Sequence, residues 1–178
     1  PQQTAGMKDS GGDWKNTQAF LDAFAKDGFD VFPGAETFLL QGMRHGAVGC
    51  ISATANVNPA AIARLHETWQ AADADAQQAR LDEIRGLFAK FPMIPALKAA
   101  VAHWSGTPEW ATVRPPLVAL TREQSTALVA RGAGLRDRGF AHGDSNRKAR
   151  RAFCAWSLFS ASSHTTLCGP SITEAEIS

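Results

Sequence analysis

A lysine that ends a short apolar segment is the residue of this chain whose type and position best fit chemistry. Residues 4–8 read TAGMK, which predicts a short buried strand with Lys8 at its carboxyl end. Open α/β sheets bind ligands at that end, and barrel enzymes place catalytic residues there. Partial burial would lower the pKa of Lys8 and leave a neutral amine, which attacks a ketone to form a Schiff base. The position alone also fits a strand that simply reaches solvent at Lys8.

The elements that would position this lysine alternate between strand and helix. In order, the pattern predicts strands at 4–8, 29–32 and 47–52, with helices at 14–27 and 35–44 between them. Asp13 suits the N-cap of the first helix, and Gly28 suits its end. Alternation of this kind implies parallel strands joined by right-handed crossovers.

Beyond the third strand the pattern predicts helices only. Asn58 and Pro59 form an N-cap followed by proline at the first helical position. Leu81, Ile84 and Phe88 would lie on one side of the second of these helices. The predicted helices cover about 59–72 and 74–90, a stretch after Pro92 that ends near 105, and a last helix opened by a capping box at 121–124.

Composition limits the class of protein. The 178 residues carry 18 Lys and Arg against 17 Asp and Glu, and 44% of residues are hydrophobic. This predicts a folded core, and the balanced charge argues against a nucleic-acid or membrane-surface protein. No run approaches the roughly 20 apolar residues that span a bilayer. The three cysteines are widely spaced, and His45, His66 and His103 lack metal-ligand spacing. We therefore expect a cytoplasmic protein without a metal or a cofactor.

Five stretches of the chain form a recognisable set: 6–13 (GMKDSGGD), 32–36 (FPGAE), 46–56 (GAVGCISATAN), 92–98 (PMIPALK) and 114–117 (RPPL). Together, and in this order, they resemble the dihydrodipicolinate synthase / N-acetylneuraminate lyase family of class I pyruvate-dependent aldolases. The first resembles the Schiff-base strand, the second resembles the seventh strand with its loop, and the third resembles the eighth strand. The resemblance covers about residues 4–137.

The fold that this implies is α/β, the C-terminal part of a (β/α)8 TIM barrel followed by a helical extension. Residues 1–58 would form its last three βα units, with strands six to eight, because three strands cannot close a barrel. Residues 59–140 would form the C-terminal helical region. After residue 141 nothing resembles the family, and 141–178 would be an irregular tail, either disordered or translated past a frameshift.

The resemblance assigns the chemistry to Lys8 and Ile51. Lys8 would be the catalytic lysine that forms a Schiff base with pyruvate, and the backbone of Ile51 would contact the bound pyruvate. The second substrate would be an aldehyde. The intact protein would be a homotetramer, with neither nucleic acid nor membrane as a partner.

Four further residues have weaker assignments. Gly34 would let the loop backbone approach the substrate. Glu36 lies where some family members contact a polar substrate tail, but an acid favoured by the helix macrodipole fits this position equally well. Ser52 and Thr54 either line the pocket or pack within the strand.

Two parts of the family's site have no counterpart in this sequence. The chain has no tyrosine, whereas the family's proton-relay tyrosine ends the fifth strand, and the carboxylate-binding loop belongs to the second strand. Catalytic groups act as a unit, so losing partners removes orders of magnitude of rate. We therefore expect a pyruvate-dependent lyase or synthase of the 4-hydroxy-tetrahydrodipicolinate synthase type, present as a fragment that is inactive alone.

Two other interpretations stay open. The chain could be a non-catalytic truncated product, or a helical interaction module formed by residues 59–137. The basic run at 147–151 (RKARR) has the composition of a nucleic-acid patch. Four charges without a fold around them are usually solvated, so we expect no nucleic-acid binding there.

Overall fold

Strands and helices follow one another in the predicted order as far as residue 46. The computed structural model describes residues 4–136. Its elements are β1 (Gly6–Asp9), α1 (Trp14–Phe24), β2 (Asp30–Pro33), α2 (Leu39–Arg44), α3 (Pro59–Glu67), α4 (Ala74–Phe88), α5 (Met93–Ser105) and α6 (Arg122–Arg136). Single 3-10 turns cover Ala25–Asp27, Glu36–Phe38, Ala53–Asn56 and Pro108–Ala111. The predicted tail at 141–178 and its basic run lie outside the described residues.

β1 and β2 form a parallel two-stranded sheet, and α1 connects them. The register sets Lys8 opposite Phe32 and Asp9 opposite Pro33. Side chains alternate across a strand, so Asp9 and Val31 share one face of the sheet. This face packs against α1, and Val31 belongs to the same apolar cluster as Leu21 of α1. The predicted pair of parallel strands joined by a helix is confirmed.

The predicted third strand at 47–52 is wrong as a regular strand, because β1 and β2 are the only strands between residues 4 and 136. Val48 N–H donates to the Val31 carbonyl at 3.3 Å, and Ile51 N–H donates to the Pro33 carbonyl at 3.0 Å. In a parallel ladder, acceptors two residues apart face donors two residues apart. Here the donors are three residues apart, so one extra residue bulges out and interrupts the ladder. The segment nevertheless runs beside β2.

Most local end signals in the sequence are confirmed in the structure, although Asn58 precedes Pro59 at the start of α3 without a side-chain cap bond. The Asp13 side chain accepts from Lys15 N–H at 3.0 Å and caps α1, and Gly28 is left-handed with φ 75°. The capping box of α6 is complete. Gln124 N–H donates to Thr121 Oγ1 at 3.2 Å, and Thr121 N–H donates to Gln124 Oε1 at 2.9 Å.

Three helices have shorter α-helical parts than the pattern predicts. α1 continues as the 3-10 turn Ala25–Asp27, and α2 begins only after the 3-10 turn Glu36–Phe38. α3 ends at Glu67 rather than near 72, where the Thr68 hydroxyl donates to the Arg64 carbonyl at 2.8 Å and bonds Gln77 of α4. Between residues 4 and 136, no helix combines the length and the apolar character needed to cross a membrane.

Helix α4 joins two apolar clusters. Leu81 packs in a cluster with Leu39 and Leu40 of α2, next to the sheet. Ile84 and Phe88 pack in a second cluster formed with α5 and α6. The predicted apolar side of α4 is therefore confirmed, and it connects the helical region to the sheet region through shared packing.

Candidate active site

Lys8 lies one residue before the carboxyl end of β1. The predicted partial burial of this side chain is wrong for the described residues, because Lys8 is exposed whereas Asp9 beside it is buried. The cause is the alternation of the strand. α1 covers the face that carries Asp9 and Val31, and Lys8 points to the opposite face, where the described residues leave its side chain exposed.

Asp9 fixes the end of the strand that carries Lys8. Its Oδ2 accepts from the Thr17 hydroxyl of α1 at 2.6 Å, and its Oδ1 accepts from Gly11 N–H at 2.9 Å. The bond from Thr17 lowers the pKa of Asp9 more than burial raises it. The sequence pattern carries a signal for this residue, since alternation places an acid in the buried phase of the strand, where it needs donors.

Gly34 passes close to the same strand end. Its N–H donates to the Asp9 carbonyl at 2.6 Å. A Cβ on Gly34 would lie 2.7 Å from the Asp9 carbonyl oxygen and 2.8 Å from Ser10 Cα, so a side chain would push the two loops apart. The sequence predicts that the Gly34 backbone approaches a substrate. In the described structure, this backbone approaches Asp9 and Ser10, the residues that follow Lys8.

Ile51 lies at the same edge of the sheet. Its N–H donates to the carbonyl of Pro33, the last residue of β2, at 3.0 Å. Pro33 is opposite Asp9 in the register, one residue beyond Lys8. Lys8, Gly34 and Ile51 are thus brought to one carboxyl edge, although 43 positions separate the first from the last in the sequence.

Glu36 lies behind this edge in a cluster of polar contacts. It is 1% exposed, and its carboxylate accepts short hydrogen bonds from the hydroxyls of Ser52 and Thr54. Arg85 of α4 completes the cluster, with Nη1 at 3.1 Å from Glu36 Oε2 and 3.4 Å from Ser52 Oγ. A direct contact between Glu36 and a substrate would require this buried carboxylate to be uncovered first.

A second side chain of α4 holds the backbone of the same turn. Gln78 Nε2 donates to the Glu36 carbonyl at 3.1 Å, and Gln78 Oε1 accepts from Leu40 N–H at 3.1 Å. Burial raises the pKa of Asp82, the bond from Gln78 opposes this, and the charge of Glu36 adds to the rise. Gln78, Asp82 and Arg85 share one face of α4 by helical spacing. This polar stripe beside the apolar one is the sequence signal for the cluster.

The remaining groups near the edge are poor candidates for chemistry. Burial raises the pKa of the Cys50 thiol to about 12, and the charge of Glu36 adds to the rise. A thiol that stays protonated is a weak nucleophile. His66 Nε2 lies 3.0 Å from the Val48 carbonyl, and His45 Nδ1 lies 2.8 Å from the Gln41 carbonyl. Within residues 4–136, no group of three or more His, Cys, Asp or Glu is arranged to hold a metal ion.

The residues of this edge lie within a region that matches a family of known proteins. The model of the Dihydrodipicolinate synthetase family matches residues 2–131, which include every residue of the edge described above. The chain belongs to the dihydrodipicolinate synthetase family. An uncharacterized DapA-like lyase of Chloroflexus aurantiacus is 34% identical over 129 residues, which are 72% of this chain and 42% of that protein.

Solved structures show that the fold is shared. Dihydrodipicolinate synthase from Agrobacterium tumefaciens superposes with a TM-score of 0.60 at 30% identity, and the match covers 74% of this chain and 43% of that one. A prophage protein of the dihydrodipicolinic acid synthase family from E. coli, solved in complex with pyruvate, superposes with a TM-score of 0.65 at 23% identity over 74% and 46% of the two chains. This chain of the dihydrodipicolinate synthetase family therefore has the α/β fold of these proteins and spans less than half of their length.

Proposed function

We propose that this chain is the C-terminal part of a pyruvate-dependent lyase or synthase, of the 4-hydroxy-tetrahydrodipicolinate synthase type, in which Lys8 forms the Schiff base. One observation carries the proposal: in a member of the dihydrodipicolinate synthetase family, Lys8 lies near the carboxyl end of a parallel strand, at the edge that also holds Gly34 and Ile51. In this proposal β1, β2 and the segment at 47–52 are strands six to eight of a (β/α)8 barrel.

The chemistry follows from the amine. Neutral Lys8 attacks the ketone carbon of pyruvate, and the resulting carbinolamine takes up a proton and loses water to leave an iminium ion. The iminium draws electrons from the neighbouring carbon, which loses a proton and becomes an enamine. The enamine carbon bonds to the carbonyl carbon of an aldehyde, whose oxygen takes up a proton, and water then releases the product and restores the amine. In the lyase direction the same steps run backwards.

The neighbouring residues position the reactants rather than react. We assign to the Ile51 backbone a contact with bound pyruvate, since the bond to Pro33 fixes it relative to the strand. Gly34 keeps the loop close to the residues that follow Lys8. We assign to Glu36 a supporting position behind the edge, based on its bonds to Ser52 and Thr54.

The exposure of Lys8 supports the proposal that the site needs residues from the rest of the barrel. The chain spans 42% of the DapA-like lyase and has no tyrosine to transfer protons. We propose that the unmatched part of the barrel covers Lys8, lowers its basicity by desolvation and binds the pyruvate carboxylate. The chain alone is then inactive, and the intact enzyme is a homotetramer without a cofactor.

Trapping with borohydride tests this proposal. We would incubate pyruvate and borohydride with the chain alone, and with the chain fused behind the part of the Agrobacterium tumefaciens synthase that it does not match. Peptide mass spectrometry would locate any reduced adduct. We expect an adduct on Lys8 in the fusion, little in the chain alone, and none on Lys8→Arg. A folded fusion that carries no adduct, or carries it equally on Lys15 and Lys26, contradicts the proposal.

A further inference from the structure

We infer that Arg85 is a positioning residue of this edge: from helix α4 it holds Glu36 and Ser52, and through them it fixes the backbone of Ile51. This inference rests on the proposed function for the contact between Ile51 and pyruvate. The holding of Ile51 itself rests on contacts within the described chain.

The backbone around Ile51 needs support from side chains. The bulge interrupts the ladder, so this segment meets β2 through only two N–H donors in the described structure, those of Val48 and Ile51. Beyond Ile51, the next contacts that hold the segment in place are the hydroxyls of Ser52 and Thr54, which donate to Glu36. The Glu36 carboxylate therefore holds through side-chain bonds a segment that a regular strand would hold through backbone bonds.

That carboxylate depends on Arg85. Glu36 is 1% exposed, and its ion pair with Arg85 is the only one it forms within residues 4–136. A buried carboxylate without a cation is destabilised by its desolvation and turns toward solvent. That turn takes the acceptor away from Ser52 and Thr54 and frees the residue next to Ile51.

Substitutions of Arg85 can distinguish the effect of its charge from the effect of its packing. Its side chain is 28% exposed, and both of its bonds to the cluster use Nη1. A lysine can present a single cationic donor of this kind, whereas a methionine keeps most of the volume without the charge. Arg44 is a matched control, because it bonds Asp75 of the same helix through two nitrogens at 3.0 and 2.8 Å on an exposed surface.

Amide hydrogen exchange in the full chain measures the positioning directly. We expect Arg85→Met to speed exchange of the Ile51 amide about tenfold. Exchange of the Gly34 amide, which donates to Asp9 on the same edge, should change less than about twofold. Arg85→Lys should recover most of the protection of Ile51, and Arg44→Met should leave it unchanged. Equal acceleration at Ile51 and Gly34, or no acceleration at Ile51, overturns the inference.

A double variant keeps the inference testable if Arg85→Met folds poorly. Glu36→Gln removes the buried charge but keeps a carbonyl acceptor for the hydroxyls. The variant Glu36→Gln/Arg85→Met should therefore fold, and should protect Ile51 better than Arg85→Met does. A double variant that is no better protected, together with an Arg85→Lys variant that resembles Arg85→Met, overturns the inference.

Trapping in the fusion separates this inference from the proposed function. We expect Arg85→Met to raise the pyruvate concentration for half-maximal adduct about tenfold, which corresponds to about 1.4 kcal/mol, with the yield at saturation unchanged. An unchanged half-saturation concentration overturns the contact between Ile51 and pyruvate. If no variant forms an adduct, including the parent fusion, the proposed function fails, and the exchange data alone decide whether Arg85 positions Ile51.

Discussion

Two parts of the carboxyl edge differ in how the chain surrounds them. Around Glu36, two hydroxyls and a guanidinium from α4 enclose a carboxylate in a residue that is 1% exposed. Around Lys8 the side chain is exposed, although the next residue, Asp9, is buried and fully bonded. The described chain thus builds the support behind the edge and leaves open the side on which we propose the chemistry.

The difference follows from which face each residue uses. Glu36 lies where α4 packs against the sheet region, and Asp9 lies on the face covered by α1. Lys8 alternates to the other face of β1. The carboxylates on covered faces have local partners, hydrogen-bond donors for Asp9 and donors with a cation for Glu36, whereas the exposed charge of Lys8 is solvated. In our proposal, the open face is where the remaining barrel units pack.

The largest expected effect is on the helical region expressed alone. If residues 59–136 formed an independent interaction module, they would fold cooperatively without the sheet. We expect no cooperative thermal transition by circular dichroism, because α4 would lose the packing of Leu81 against Leu39 and Leu40 and the bond between Arg85 and Glu36. Residues 1–136 serve as the control. A sharp transition in the shorter chain would support the module.

The next effect concerns the covered end of β1. We expect Asp9→Ala to lower the free energy of unfolding by about 2 kcal/mol, because the Thr17 hydroxyl and Gly11 N–H lose a charged acceptor. Asp13→Ala, which removes one exposed cap bond to Lys15, should cost about 1 kcal/mol. Urea unfolding at neutral pH measures both. If both substitutions lower the free energy of unfolding equally, the burial of Asp9 does not strengthen its hydrogen bonds relative to the exposed cap at Asp13.

The pH dependence of Asp9 sharpens the same point. Its pKa in the folded chain lies below the ordinary value, so its contribution is complete above the unfolded pKa of about 3.9 and is lost as the pH falls through the folded pKa. Asp82 has the opposite effect on the pH dependence of stability. Burial raises its pKa and disfavours its charged form, so its ionisation makes the folded chain less stable as the pH rises. The difference in stability between the parent chain and Asp9→Asn should therefore shrink between pH 7 and pH 2.

An effect of similar size is expected from the glycine that approaches β1. Gly34→Ala should cost about 1–3 kcal/mol, because its Cβ would meet backbone atoms of Asp9 and Ser10 at 2.7 and 2.8 Å. Gly86 in α4 is the control, since a Cβ there meets nothing within 4 Å of the described atoms. Gly86→Ala should stabilise the helix by about 0.5–1 kcal/mol. Thermal unfolding of the two variants should therefore shift in opposite directions.

Local signals account for the parts of the structure that the sequence predicts. Asp13, Gly28 and the capping box at 121–124 act on neighbouring backbone groups, so residue type and spacing suffice. The segment at 47–52 was mispredicted because apolar composition does not reveal that its donors are spaced three apart. The pair of Glu36 and Arg85 spans 49 positions, and no local pattern joins residues at that distance before the helices are packed.

The smallest effect on stability is expected at the residue with the largest proposed role. Lys8 is exposed, so Lys8→Met should change the free energy of unfolding of the chain by no more than about 0.5 kcal/mol. The same substitution in the fusion should abolish the pyruvate adduct. A structural lysine would show the reverse, with a clear loss of stability in urea unfolding and an adduct that persists on another amine. Because the bonds of Asp9, Gly34 and Ile51 described for this edge do not involve the Lys8 side chain, we expect stability and chemistry to separate at this position.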